Sequence, residues 1–183
     1  MMNRNMLLSR IAKAAKTTVL IFSDSHGSSS FLLSTAKNHP EADLAVHLGD
    51  HCAMLSDLAR QCTVPLIGVA GNCDGWYGRH LPAQLLLPIA GHRVFLTHGH
   101  LYGVKHELGR LITAGTTAPN HADVILFGHT HQQFRQTLQS DGRQIILVNP
   151  GSCRTGIFGQ PASAVLMHLH PDLINVEFLL DQS

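Results

Sequence analysis

The chain has 183 residues, 44% of them apolar, which suits one soluble globular domain with a sizeable core. Thirteen basic residues against 12 acidic ones leave a net charge of +1, so no polyanion-binding tail or membrane-surface patch is indicated, and nucleic acid is not an expected partner. The outlying number is 14 histidines, which exceeds the acidic residues and asks for metal ligands.

Cys52, Cys62, Cys73 and Cys153 show no Cys-x-x-Cys spacing and no secretory context, so they read as reduced thiols of a cytoplasmic protein. Residues 1–16 carry Arg4, Arg10, Lys13 and Lys16 and no acid. Their longest apolar run, Met6-Leu7-Leu8, is too short for a signal-peptide core or a membrane span. A short helix or frayed leader is expected there, ahead of a single domain over residues 17–183. No later run reaches membrane length.

The first buried strand is expected at Thr17–Phe22, ending in Ser23-Asp24-Ser25-His26-Gly27. Ser28 to Ser30 offer N-caps for a helix over Phe31–Asn38. A second strand, Leu44–Leu48, ends in Gly49-Asp50, and Cys52–Gln61 has helical spacing. A third, Pro65–Val69, ends in Gly71-Asn72-Cys73-Asp74-Gly75. This alternation argues for parallel strands joined by helices. The pattern then changes to a hairpin, Gln84–Ile89 and Arg93–Thr97, ending in His98-Gly99-His100. A helix is expected over Lys105–Ala114 with Gly115 as its stop. Val124–Phe127 is a short apolar strand that ends in Gly128-His129-Thr130-His131. If the backbone stays extended there, the two imidazoles project to the same side. Two more hairpins follow, one turning at Ser140-Asp141-Gly142 and ending in Asn149-Pro150-Gly151-Ser152, the other turning at His170-Pro171-Asp172. The most economical architecture is a mixed α/β fold, two sheets packed face to face with helices outside.

Five expected strands thus end in metal-type residues: Asp24 and His26, Asp50, Asn72, His98, and His129 with His131. The set offers carboxylate, amide and imidazole but no thiolate, which suits manganese, iron, cobalt or zinc better than a structural zinc site. Seven donors are too many for one ion and suit two ions sharing a carboxylate. Glycines beside the ligands (Gly27, Gly49, Gly71, Gly99, Gly128) would let the backbone turn sharply and approach the ions.

Taken in order, Asp24-Ser25-His26, Gly49-Asp50, Gly71-Asn72, His98-Gly99-His100 and Gly128-His129-Thr130-His131 resemble the motifs of the calcineurin-like metallophosphoesterase superfamily. Asn72-Cys73-Asp74-Gly75 and Asn149-Pro150-Gly151-Ser152 are similar to its small single-domain bacterial and archaeal phosphodiesterase branch. The resemblance implies a two-layer β-sandwich of mixed sheets flanked by helices. It implies that Asp24, His26 and His131 hold one metal, Asn72, His98 and His129 the other, with Asp50 bridging. It also implies a homodimer or tetramer.

The expected activity is hydrolysis of a small phosphoester, foremost a phosphodiester, by a hydroxide that two divalent metals generate. Manganese is the leading candidate, with nickel, cobalt, iron or zinc as alternatives. One departure from the superfamily is Cys73, where many members carry a histidine that assists the leaving group. His100 and His51 lie beside ligands and are candidates for that acid, and Asp50 and His100 are the expected catalytic residues. Asn72 and Arg154 are candidate phosphate contacts, Arg154 having a surface ion pair as its other reading. Cys73 is expected to be a buried, inert thiol. Trp76 and Tyr77 either wall the substrate pocket or cover an oligomer contact. His39, His80, His92, His106, His121, His168 and His170 are taken as structural or exposed. The alternatives are a non-catalytic protein-interaction scaffold of the same fold, and a phosphomonoesterase or nucleotide pyrophosphatase.

Overall fold

Strands that are apolar on both sides need cover on both sides. The computed structural model, which describes residues 4–140, 142–156 and 159–182, provides it in four layers. Helix α1 (Arg4–Lys13) leads into β1 (Thr17–Phe22), α2 (Ser30–Asn38), β2 (Leu44–His47), α3 (Leu55–Gln61) and β3 (Leu66–Gly68). The hairpin β4 (Gln84–Ile89) and β5 (His92–Thr97) follows, then α4 (Gly109–Thr116), β6 (Val124–Leu126), β7 (Gln133–Ser140) and β8 (Arg143–Pro150). A last hairpin, β9 (Ser163–His170) and β10 (Leu173–Leu180), completes the chain. One sheet has the order β10-β9-β1-β2-β3 and the other β4-β5-β6-β8-β7.

Within each sheet three strands run parallel, β1, β2 and β3 in the first and β5, β6 and β8 in the second. The remaining strands pair antiparallel at the flanks. The period of two sorts the core. Val19 and Ile21 of β1 face the other sheet, with Leu44, Val46, Val94, Leu96, Val124 and Leu126. Leu20 and Phe22 face outward, under Leu32 and Ala36 of α2. On the second sheet Phe95, Ile125 and Leu147 face outward under Leu111 of α4. Helix α1 sends Leu7 and Ile11 into the core between the sheets, so the N-terminal segment is a packed helix.

Two helices differ from their expected spans. Helix α3 starts at Leu55, not Cys52, because Cys52 has φ +56° and its N–H donates to Asp74 Oδ1. Helix α4 starts at Gly109 and runs through Gly115, so that glycine is no stop. A Cβ on Gly115 would lie 2.5 Å from Ile125 Cδ1, so it lets the helix lie close on the sheet. Of the Ser140-Asp141-Gly142 turn, Asp141 lies outside the described residues. Among the described residues no helix is long and apolar enough to cross a membrane.

Candidate metal centre

The C-terminal ends of β1, β2, β3, β5 and β6 deliver Asp24, Asp50, Asn72, His98 and His129 to one edge of the sandwich. His98 joins the two sheets there: its Nδ1–H donates to Leu48 O at 2.8 Å. That bond leaves Nε2 as the free donor atom, 3.3 Å from Asp50 Oδ2, 3.1 Å from Asn72 Oδ1 and 3.2 Å from His129 Nδ1. A second group forms beside it. His131 Nε2 lies 3.1 Å from Asp24 Oδ1 and 3.3 Å from His26 Nε2.

These spacings fit cations. Ligands at ~2.1 Å from one ion, at angles between right and tetrahedral, stand ~3.0–3.5 Å apart. Asp24 is buried, and its Oδ2 is occupied by Ser23 Oγ–H (2.5 Å) and His129 N–H (3.0 Å). Its Oδ1, equally buried, meets no backbone or hydroxyl donor and faces the donor group, with the His131 ring beside it. A buried carboxylate oxygen left that way is costly unless a cation completes it. The charges agree. Burial pushes Asp24 up, but the nearby His131 and His98 rings and the Ser23 hydroxyl outweigh it and hold the carboxyl below its ordinary value. Burial is likewise outweighed at Asp50, by His98 and the Cys73 N–H, which donates to Asp50 Oδ1 at 2.7 Å. His129 is pushed down to about 4 by burial, His98 and Lys105, so it is neutral and able to donate near pH 7. The donors fall into two main groups, Asp24–His26–His131 and Asp50–His98–His129, and a third of Asp50 with His26 and Cys73. Asp50 is therefore the carboxylate within reach of both sides.

The backbone holding these side chains is not extended. Asp24, His26, Asp50, His129 and His131 have φ between +44° and +70°. Non-glycine residues enter this region at a cost, ~1–3 kcal/mol each, and such strain gathers at functional sites. This corrects the expectation of two imidazoles projected to one side by an extended strand: His129 and His131 diverge into different groups. The glycines serve partly by leaving space. A Cβ on Gly71 would lie 2.1 Å from Asp50 Oδ1, and one on Gly128 would lie 1.9 Å from Ser23 Oγ.

A family profile, the calcineurin-like phosphoesterase superfamily domain, matches residues 18–172. The chain belongs to that superfamily. It is 34% identical over 163 residues to the probable metallophosphoesterase YsnB of Bacillus subtilis, covering 87% of this chain and 89% of that protein. It is 29% identical over 177 residues to the phosphodiesterase YfcE of Escherichia coli, covering 93% and 87%. Among solved structures, a "predicted phosphoesterase" of Streptococcus pneumoniae superposes with a TM-score of 0.73 at 24% identity, over 91% of both chains. Vps29 of Cryptosporidium parvum shares the fold at a TM-score of 0.66 and 18% identity, over 93% of this chain and 100% of that one. The metallophosphoesterase fold and family are thus shown, and with them a metal-dependent phosphoesterase.

Several residues that hold no metal themselves support the ligand turns, and of these only His47 lies outside the motifs quoted above. Asp74 is buried, and its carboxylate accepts N–H bonds from Asp50 (3.0 Å), Gly71 (2.6 Å) and Cys52 (2.9 Å). It ties the turn after β2 to the turn after β3. His47 is fully buried, accepting from Gly49 N–H at Nδ1 and donating from Nε2 to Ser25 Oγ. Asn149 donates to Gly128 O and Thr130 Oγ1, and Ser152 Oγ–H donates to Asp24 O. The Asn-Pro-Gly-Ser stretch therefore braces ligand turns from β8.

Cys73 is exposed, which corrects its expected burial: its N–H is spent on Asp50 and its side chain lies beside the Asn72 amide, 3.1 Å away. Desolvation and Asp50 push its thiol up to about 11, so it stays protonated and a poor nucleophile. His51 is buried, 3.4 Å from Asp74 Oδ1 and edge-on to His47. His100 sits 5.3 Å from His98 and 6.1 Å from His129, ring to ring, and burial and His98 lower its pKa. Arg154 is exposed, and its guanidinium meets no carboxylate among the described residues. Trp76 and Tyr77 are exposed, Trp76 lying under the Arg79 guanidinium at 3.6 Å. Of the remaining histidines, His80, His106 and His121 are exposed, while His39, His92 and His168 make side-chain or carbonyl contacts.

Proposed function

We propose that this metal-dependent phosphoesterase is a phosphodiesterase working with two divalent cations, manganese foremost. The observation that carries the reading is Asp50, within reach of His26 in one donor group and of His98 and His129 in the other. Asp24, His26 and His131 would hold one cation, and Asn72, His98 and His129 the second. Bound there, the cations would acidify a water and neutralise charge on the phosphate. Asn72 commits Oδ1 to its donor group and one Nδ2 hydrogen to Cys73 Sγ, leaving the second Nδ2 hydrogen for a phosphate oxygen, and Arg154 stands as a further cation for the phosphate. Catalytic weight falls on Asp50, which positions both sides.

Leaving-group chemistry favours diesters. The thiol of Cys73 remains protonated far above neutral pH, and His100 is held neutral, so neither is a strong acid near pH 7. Diesters with good leaving groups need little proton donation. The likeness to a protein named phosphodiesterase supports the same choice. A dimer or tetramer in the cytoplasm suits the exposed Trp76 and Tyr77 and the four free cysteines.

The test is metal analysis of reconstituted protein together with turnover of bis-p-nitrophenyl phosphate with manganese, nickel, cobalt and zinc. Metal uptake with diester turnover exceeding that of p-nitrophenyl phosphate is expected. Metal-free protein without turnover would leave the scaffold reading, and a preference for the monoester would replace the diesterase with a monoesterase.

A further inference from the structure

The turn Thr130–Gln133 separates two clefts beside the metal centre. One, of about 390 Å³, is lined by the candidate ligand His131 and the amides of Gln132, Gln133 and Gln160. The other, of about 460 Å³, lies between the 104–108 segment and the 127–134 segment and has a different chemistry. Its walls include Val104, Leu108, Phe127 and Phe134, with Lys105 and Thr130 beside them. Deepening the phosphodiesterase reading, on which it rests, we propose that this second cleft is the subsite for one ester group of the substrate, a flat aryl or nucleobase group.

Three observations carry it. The apolar surface is built from the core and does not have to form on binding. Phe127 and Val104 are buried members of the cluster over the second sheet, and Leu108 and Phe134 pack on its edge. The Phe127 and Phe134 rings meet edge to face at 5.9 Å. Phe127 is buried beneath, and the half-buried Phe134 is the ring left to receive another. Next, the walls of the cleft continue on both sides into the turns that carry ligands. Thr130 stands between His129 and His131, and a Cβ on Gly99, which follows His98, would strike Val104 at 2.9 Å. A group attached to a phosphate over the centre is therefore led into the cleft by the walls that hold the ligands. Finally, Lys105 is exposed, lines the cleft together with Thr130, and pairs with no carboxylate among the described residues. It supplies a cation for an anionic substituent on the same ester group. The volume suits one ring system and not a polymer.

The experiment uses the manganese-loaded full chain and calorimetric titration with phenylphosphonate, methylphosphonate and 4-carboxyphenylphosphonate. Phenylphosphonate should bind at least about tenfold tighter than methylphosphonate. Leu108→Arg, which fills the cleft, should abolish that preference and leave methylphosphonate affinity unchanged. Lys105→Ala, at an exposed position that does not challenge folding, should keep the phenyl preference and lose the extra affinity of the 4-carboxy compound. Equal affinities in the parent protein, no binding of any phosphonate, or an unchanged preference in Leu108→Arg would overturn the proposal. A phenyl preference without diester turnover would leave the subsite standing and remove the phosphodiesterase reading; turnover without the preference would do the reverse.

Discussion

Asp74→Asn tests whether the centre depends on a residue that touches none of the ligand atoms. The carboxylate accepts three backbone N–H groups, two at Oδ2 and one at Oδ1, in a buried position. An asparagine can turn its oxygen toward Asp50 and Gly71 N–H, but its amide then faces the Cys52 N–H, donor against donor. That leaves a buried N–H unsatisfied, at ~1–3 kcal/mol, and removes the charge assistance from the other two bonds, at ~1 kcal/mol each. The sum is ~3–5 kcal/mol, a large part of the ~5–15 kcal/mol that holds a domain of this size. Urea unfolding of the metal-free protein should show a lower midpoint with an unchanged slope. Manganese affinity should fall as well, because the misplaced turns carry Asp50 and Asn72. Asp172→Asn, on an exposed turn, is the control and should change neither. An Asp74→Asn protein within ~1 kcal/mol of the parent and with parental metal affinity would refute the reasoning.

Other outcomes follow from the same geometry. Gly128→Ala should displace the Ser23 hydroxyl from Asp24 and destabilise by ~1–3 kcal/mol, and adding Ser23→Ala should recover part of that loss in thermal unfolding. His129→Ala and His131→Ala should each retain one cation per chain in calorimetric titration, since the two rings serve different donor groups; complete loss in both would count against the division. His47 is buried and its pKa is pushed down to about 3, chiefly by burial and then by His51 and His98, with Asp24 and Asp74 pulling the other way. Between that value and ~6.5 the unfolded chain binds the extra proton, so stability falls with falling pH, by ~1.4 kcal/mol per unit from this residue. Burial lowers the His98 pKa but Asp50 and Asp24 raise it further, so His98 contributes with the opposite sign. The readout is therefore the difference in metal-free stability between the parent and His47→Gln, which should shrink on acidification.

The ligands were legible in the sequence because each follows an apolar run, and such runs are strands when both of their faces are buried. Val19-Leu20-Ile21-Phe22 shows this: alternate residues serve two different core clusters, so no polar residue interrupts the run. The roles of the supporting residues were not legible, although Asp74, Asn149 and Ser152 stand inside quoted motifs. Asp74 acts on backbone N–H groups of turns remote in the chain, and a carboxylate on a loop looks the same whether it does this or faces water. His47 lies inside a strand and is satisfied by the turns it braces, which leaves no spacing signal. Helix starts were misplaced for the same reason. The segment before α3 has helical spacing, but Cys52 N–H is claimed by Asp74, and tertiary bonding overrides local preference. Positive φ at five ligands is equally a tertiary product, although the neighbouring glycines hinted at sharp turns.

The central claim is that two cations share Asp50. Electron paramagnetic resonance of protein loaded with two equivalents of manganese tests it directly. The account predicts an exchange-coupled pair signal in the parent protein and its loss in Asp50→Asn. Only isolated six-line manganese spectra at saturation, or a coupled signal that survives Asp50→Asn, would contradict it.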